Sequence, residues 1–231
     1  MHDQNSKAQA ILYDIDGTLI NLREVWEQVF TELYQREFGF TLTADELKNM
    51  FGPPQLESHG VVLRGRDRYS TDVAMVLIDK TEIAMHNYLS THSILNKVIH
   101  GVHDCLWNLR DIPRTIVTGN IESVATAILR GSGIGSYFSM ISCATPATTR
   151  RVEIVNEGIQ KLERFFGVVY DRSQVYCVGD TPSDVKAALE AGVVPVAVTT
   201  GSYSAENLRS AGANIILSDL RGLPGLLRSQ K

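Results

Sequence analysis

The chain has 231 residues, 44% of them hydrophobic and 21% charged, with a formal net charge of −4. These are ordinary globular proportions, enough for one large domain or for a core with a smaller insertion. They exclude a broadly basic surface for nucleic acid, and no apolar run approaches the roughly 20 residues that span a bilayer. The polar start, residues 1–7, carries no secretory pattern. Cys105, Cys143 and Cys177 stand far apart in apolar surroundings and read as small buried hydrophobes. Both features point to a reducing, cytoplasmic setting.

Residues 10–15 are mostly apolar and β-prone and run up to Gly17, which predicts a buried strand entering a tight turn. Asp14 and Asp16 stand two apart at its C-terminal end and would share a face if the strand continued. Two close like charges are costly unless a cation or a proton relieves them. The pair therefore reads either as a metal-assisted site or as a solvated loop. Next, Leu22, Val25, Trp26, Val29, Phe30, Leu33, Tyr34 and Phe38 recur at three- and four-residue steps, a helix stopped by Gly39. The Trp26, Phe30 and Tyr34 stripe reads as local core. Thr43 to Glu46 is a capping box opening a short helix to Met50, broken at Phe51-Gly52-Pro53-Pro54. Residues 52–60 read as a loop suited to substrate contacts. Arg64, Arg66 and Arg68 follow, either a solvated face or readers of an anionic leaving group. Val73, Val76, Leu77, Ile83, Ala84 and Tyr88 predict another helix. Residues 20–92 thus hold helices and no strand.

The pattern then alternates. A helix over 102–109 precedes a strand over 113–117 that ends in Thr118-Gly119-Asn120. A helix over 121–129, a short strand within 137–143 and a helix over 151–165 follow. A strand over 175–178 ends in Gly179-Asp180, and a helix over 183–191 is closed by Gly192. A strand over 194–198, a helix over 205–211 and a last strand over 214–217 complete the order. Such alternation implies a parallel sheet with right-handed crossovers. Ligands of open parallel sheets bind beyond the C-terminal strand ends, so residues 14–18, 118–120 and 179–184 should meet in one crevice. The helices of residues 20–92 would then be an inserted cap above it. Thr118 and the N–H groups beside it suit phosphate at a helix N-terminus; Asn120 is equally an ordinary N-cap. His59, His86, His92, His100 and His103 show no metal-ligand pattern and are assigned none.

Asp14-Ile15-Asp16-Gly17-Thr18-Leu19, then Thr118-Gly119-Asn120, then a basic residue opening a helix, then Gly179-Asp180-Thr181-Pro182-Ser183-Asp184 form an ordered set. It resembles the signature of the haloacid dehalogenase-like (HAD) hydrolase superfamily, and its phosphoglycolate phosphatase-like branch, over nearly the whole chain. The resemblance implies an α/β, Rossmann-like parallel-sheet core (1–19 and 93–231) with an inserted all-helical cap (20–92). It implies a Mg²⁺-dependent phosphatase for a small phosphorylated metabolite. Asp14 would be the nucleophile, forming an aspartyl-phosphate, and Asp16 the general acid and base. Mg²⁺ would be held by Asp14, the backbone carbonyl of Asp16, Asp180 and Asp184. The other reading of Asp184 is a helix N-terminal acid favoured by the dipole. Thr118, Gly119 and Asn120 would bind phosphate. Asp16 and Asp180 together argue for a phosphate ester rather than a carbon–halogen bond.

The third motif departs from the family, which has lysine where this chain has Arg150-Arg151. Arg151 fits the helix-opening register, with Arg150 the adjacent candidate, and a planar guanidinium can fork onto phosphate or nucleophile. A phosphomutase, a phosphonate hydrolase using a cap lysine such as Lys48 or Lys80, and a catalytically silent binding member stand as alternatives. No nucleic-acid or membrane partner is expected, and monomer and homodimer are both left open.

Overall fold

The structure, a computed structural model, describes residues 9–228; the polar start at residues 1–7 lies outside them. Among the described residues six strands form the sheet: β1 (Ala10–Tyr13), β2 (Arg114–Ile121), β3 (Ile141–Ala144), β4 (Val175–Gly179), β5 (Val194–Val198) and β6 (Ile215–Leu217). Their order is β3-β2-β1-β4-β5-β6, and every pairing is parallel. The chain steps outward from β1 through β2 to β3, then returns to β4 on the other side of β1. That reversal opens a crevice at the C-terminal ends of β2, β1 and β4, the three strands that lead into the polar clusters.

Between β1 and β2 lie α1 (Arg23–Phe38), α2 (Ala44–Asn49), α3 (Gln55–Arg64), α4 (Thr71–Thr91) and α5 (Val102–Asn108). After β2 come α6 (Glu122–Gly131), α7 (Arg151–Phe166), α8 (Pro182–Glu190), α9 (Ala205–Ser210) and α10 (Leu223–Arg228). Strand parity divides the core. Ile11 and Tyr13 pack with Ile116, Tyr176 and Val178 under α5, α6 and α10. Ala10 and Leu12 pack with Val117, Val175 and Cys177 under α7 and α8. The result is an α/β/α core with an inserted helical cap, α1 to α4. The three cysteines are free and buried, and no helix among the described residues is long and apolar enough to cross a membrane.

The cap follows its local signals. Val25, Trp26, Val29, Phe30, Leu33 and Tyr34 form the buried stripe of α1. Gly39 ends it at φ 74°, the left-handed conformation that glycine adopts without a Cβ penalty. Thr43 and Glu46 cap α2 reciprocally. The cap's apolar residues are continuous with the Ile11 and Tyr13 layer of the core. Tyr203 of the core donates to the Lys48 carbonyl at 3.2 Å, and Ser123 to Glu82, so the cap rests directly on the strand ends.

The structure adds two helices that periodicity does not predict. α3 starts at Gln55, inside the loop expected over residues 52–60. Its buried face carries Gln55, Ser58, His59 and Gly60 among the apolar residues, so the hydrophobic stripe is broken in the sequence. α10, beyond the last predicted strand, contains Pro224 and Gly225, both poor helix formers, and is held by buried Leu223 and Leu227.

His59 is wholly buried in the cap, with Nδ1 3.0 Å from the Tyr34 hydroxyl and Nε2 3.4 Å from that of Thr81. Burial pulls its pKa down from 6.5 to about 3. The unfolded chain therefore takes up a proton that the folded chain refuses. Stability is whole above pH 6.5 and declines as pH falls towards 3. At pH 5 this one group should remove about 2 kcal/mol. Thermal unfolding at pH 7.5 and pH 5 is expected to show a gap in Tm that narrows in His59→Gln; an equal gap in both proteins would refute the assignment.

Candidate active site

Three carboxylates converge at the strand ends. Asp14 follows β1, and its N–H still donates to the Val178 carbonyl at 2.9 Å, which holds it at the crevice. Asp180 follows β4, and Asp184 is the third residue of α8. Each offers an oxygen within 4.8 Å of the others, and none of the three is more than 5% exposed. The turn after β1 is shaped for this. Gly17 has φ 79°, and a Cβ there would stand 2.4 Å from Asp180 Oδ2; at Gly201 it would stand 1.7 Å away. A side chain at either position would displace the Asp180 carboxylate. Thr18 donates to Asp180 Oδ1 at 3.2 Å, and Thr200 ties the loop after β5 to the Gly17 carbonyl at 2.5 Å.

Asp184 takes the helix-start role and also joins the acid cluster. Its Oδ2 accepts from the Thr181 N–H and hydroxyl at 3.0 and 2.6 Å in a capping box, while Oδ1 faces Arg151 at 2.6 Å. Arg151 opens α7 and is buried. Its Nη2 also reaches Asp14 Oδ1 at 2.5 Å, and its Nη1 donates across to the cap, to the Gly52 carbonyl at 2.8 Å. Arg150 points outward and pairs with Glu190. The crevice therefore receives Arg151, and Arg150 is the solvated helix-start charge.

One guanidinium does not balance these acids. Loss of water pushes the Asp14 pKa up to about 8, against the pull of Arg151 and with Asp184 and Asp16 adding to the rise. Asp180 is raised well above the carboxylate range by burial and by Asp14 and Asp184. A surplus of buried negative charge on hard oxygen donors is the environment that a small divalent cation relieves, so the residues present fit Mg²⁺.

The Asp16 carboxylate lies outside this cluster. Trp26 Nε1 donates to Oδ1 at 2.7 Å and Asn120 Nδ2 to Oδ2 at 2.6 Å. Burial raises its pKa, and these two hydrogen bonds oppose the rise. Two sequence readings change here. The aromatic stripe of α1 is cap core, yet its Trp26 also positions a site carboxylate from the cap. Asn120 is not an N-cap: Ile121 takes that position with no side-chain bond. The reason is that β2 runs past Val117 to Ile121, with its register against β3 shifting between Thr118 and Ile121. That irregularity interrupts the ladder at Gly119 and Asn120 and lets Asn120 reach Asp16. Thr118 Oγ1 accepts from the Asn120 N–H at 3.2 Å. A Cβ at Gly119 would meet the Pro53 carbonyl oxygen at 2.8 Å, so glycine lets the cap come this close.

A cavity of about 250 Å³ lies between core and cap. Its core wall includes Asp14, Asp16, Thr118, Gly119, Asn120, Arg151 and Asp180, and its cap wall Trp26, Phe30, Phe51 and Gln55. Of the expected site residues only Asp184 stands behind the wall. Arg64, Arg66 and Arg68 do not line it. Arg66 makes a fork to Glu46 at 2.9 and 2.8 Å and lies over Phe40. Arg64 pairs with Glu57 at 2.6 Å, and Arg68 lies over Phe38. Neighbouring acids and rings claim all three. Gln55, the Gly52 carbonyl and Gly201 belong to the site without any motif; the Gly-Pro-Pro break before α3 is the one local sign of the cap contact.

A parallel α/β core whose strand ends gather three acids under a helical lid defines a capped hydrolase. The comparison with known families makes this particular. The haloacid dehalogenase-like hydrolase family matches residues 11–198, and the chain belongs to that family. It is 24% identical to the phosphoglycolate phosphatase of Rhodobacter capsulatus over 226 residues, 95% of this chain and 97% of that protein. It is 23% identical to pyrophosphatase PpaX of Halalkalibacterium halodurans over 220 residues, 94% of each. The structure of β-phosphoglucomutase from Clostridium difficile shares the fold at a TM-score of 0.79 and 16% identity, covering 96% of both chains.

Proposed function

We propose that this protein is a Mg²⁺-dependent phosphatase of a small phosphorylated metabolite in the cytoplasm, acting through an aspartyl-phosphate on Asp14. Residues 20–92 serve as the cap over a core of 1–19 and 93–231. The observation that carries the reading is the convergence of Asp14, Asp180 and Asp184 with Arg151 beside Thr118-Gly119-Asn120. Bound Mg²⁺ would supply positive charge for the approach of two anions, where each like-charged pair at about 4 Å otherwise costs roughly 4 kcal/mol at an effective dielectric near 20.

The chain's own groups divide the work. The Asp14 carboxylate attacks phosphorus while Arg151 orients it and Thr118, Gly119 and Asn120 hold the phosphate oxygens. Asp16, fixed by Trp26 and Asn120, gives a proton to the departing oxygen and later takes one from the water that releases phosphate from Asp14. The cap excludes bulk water during both steps. Phosphoglycolate and pyrophosphate, for which two relatives are named, both fall within this substrate class.

The test is hydrolysis of p-nitrophenyl phosphate. Phosphate release is expected with Mg²⁺ and its loss with chelator. No turnover on a broad phosphate panel would favour a silent binding member, and conversion between phosphate isomers without phosphate release would favour a mutase.

A further inference from the structure

Gln55 opens α3 on the cap wall of the cavity and is 6% exposed. Among the described residues neither Oε1 nor Nε2 has a hydrogen-bond partner, and both are shielded from solvent. A buried amide left unpaired is costly. The other buried polar residues of the same helix avoid that cost: Ser58 donates to the Met50 carbonyl at 2.9 Å, and His59 is bonded by Tyr34 at 3.0 Å. Gln55 keeps one donor group and one acceptor unspent beside the space where the leaving group of a phosphate ester would lie.

The surroundings narrow the chemistry. Trp26, Phe30 and Phe51 present rings to the cavity, and Asn21 and Ser202 add neutral polar groups. Its two cations are engaged, Arg23 by Glu27 at 2.6 Å and Arg151 by Asp14 and Asp184. The buried one already faces two carboxylates, so an anionic leaving group finds only the exposed, singly paired Arg23 there. A neutral hydroxylated one finds ring faces for its C–H groups and an amide that can both donate to and accept from hydroxyls.

We propose that Gln55 is a specificity-determining residue that hydrogen-bonds a leaving-group hydroxyl, so that the substrate class is sugar and polyol monophosphates rather than phosphoglycolate or pyrophosphate. The substrate class rests on the phosphatase reading above. A site built to bond a hydroxyl rejects a ligand that lacks it, because its own polar groups are then left unpaired.

The experiment measures kcat/KM for glycerol 3-phosphate, glucose 6-phosphate, phosphoglycolate, pyrophosphate and p-nitrophenyl phosphate in wild type and Gln55→Leu. Wild type is expected to favour one of the hydroxylated esters at least tenfold over phosphoglycolate and pyrophosphate. Gln55→Leu is expected to lower the ratio of that ester to the aryl phosphate at least tenfold, chiefly through KM. A preference for either anionic leaving group, or an unchanged ratio, overturns the proposal. Calorimetric binding of the same ester to Asp14→Asn, with and without Gln55→Leu, separates the two readings. If no ester is turned over but binding still weakens at least tenfold without Gln55, the hydrolytic reading fails and the Gln55 assignment stands. If the aryl phosphate is hydrolysed and binding does not change, the Gln55 assignment fails alone.

Discussion

Asp14→Asn is expected to cut Mg²⁺-dependent hydrolysis of p-nitrophenyl phosphate by about 10⁴-fold or more, the scale on which loss of a nucleophile is felt. The fold should survive. Asparagine has nearly the shape of aspartate, and Asp14 is one of three acids crowded within 4.8 Å. Burial already pushes the metal-free Asp14 carboxyl towards its neutral form, so a neutral amide adds no desolvation cost. Arg151 keeps Asp184 at 2.6 Å as its ion partner. Metal-free Asp14→Asn should therefore melt no lower than metal-free wild type. Turnover within tenfold of wild type would end the nucleophile assignment, and a collapsed Tm would make the kinetic loss uninformative, so both are measured on the same preparation.

Arg151→Lys separates charge from shape. The guanidinium spans two walls: Nη2 serves Asp14 and Asp184 in the core, and Nη1 serves the Gly52 carbonyl in the cap. An ammonium on a shorter, unforked stem keeps the positive charge but does not reproduce that span. A hydrogen bond from a charged group is worth about 1.5–3 kcal/mol, so loss of the cap arm should lower kcat/KM about 10- to 100-fold. Arg151→Met is the harsher change. It leaves two buried carboxylates without their cation and is expected to destabilise the fold by about 3–5 kcal/mol. Steady-state kinetics and denaturant unfolding distinguish the two. A lysine variant within twofold of wild type would show that the contact with Gly52 has no part in turnover.

That contact also marks the boundary of what the sequence discloses. Helix α1, the α2 capping box and the run of alternating strands and helices were legible because their signals are local. A stripe at three- and four-residue steps, a Thr/Glu pair and a glycine in the left-handed region act within one or two turns of the residues that carry them. α3 was hidden because its buried face carries polar residues, of which His59 finds its partners at a distance in Tyr34 and Thr81, on other helices. The end of β2 was misread for a related reason. Thr118-Gly119-Asn120 has turn chemistry, but pairing with β3 carries the strand through it to Ile121.

By itself the sequence determined the class of fold, the ordered acids Asp14, Asp16, Asp180 and Asp184, and the arrival of a basic residue at the start of α7. These depend on residue type and order along the chain. Only the tertiary structure decided that Arg151 rather than Arg150 enters the crevice, that Trp26 and Asn120 hold Asp16, that Arg64, Arg66 and Arg68 are spent elsewhere, and that Gln55 lies unpaired on the cavity. Each of those is a choice of partner among groups far apart in the chain. Such choices are set by which side chains lose water together, and periodicity along one element carries no record of that.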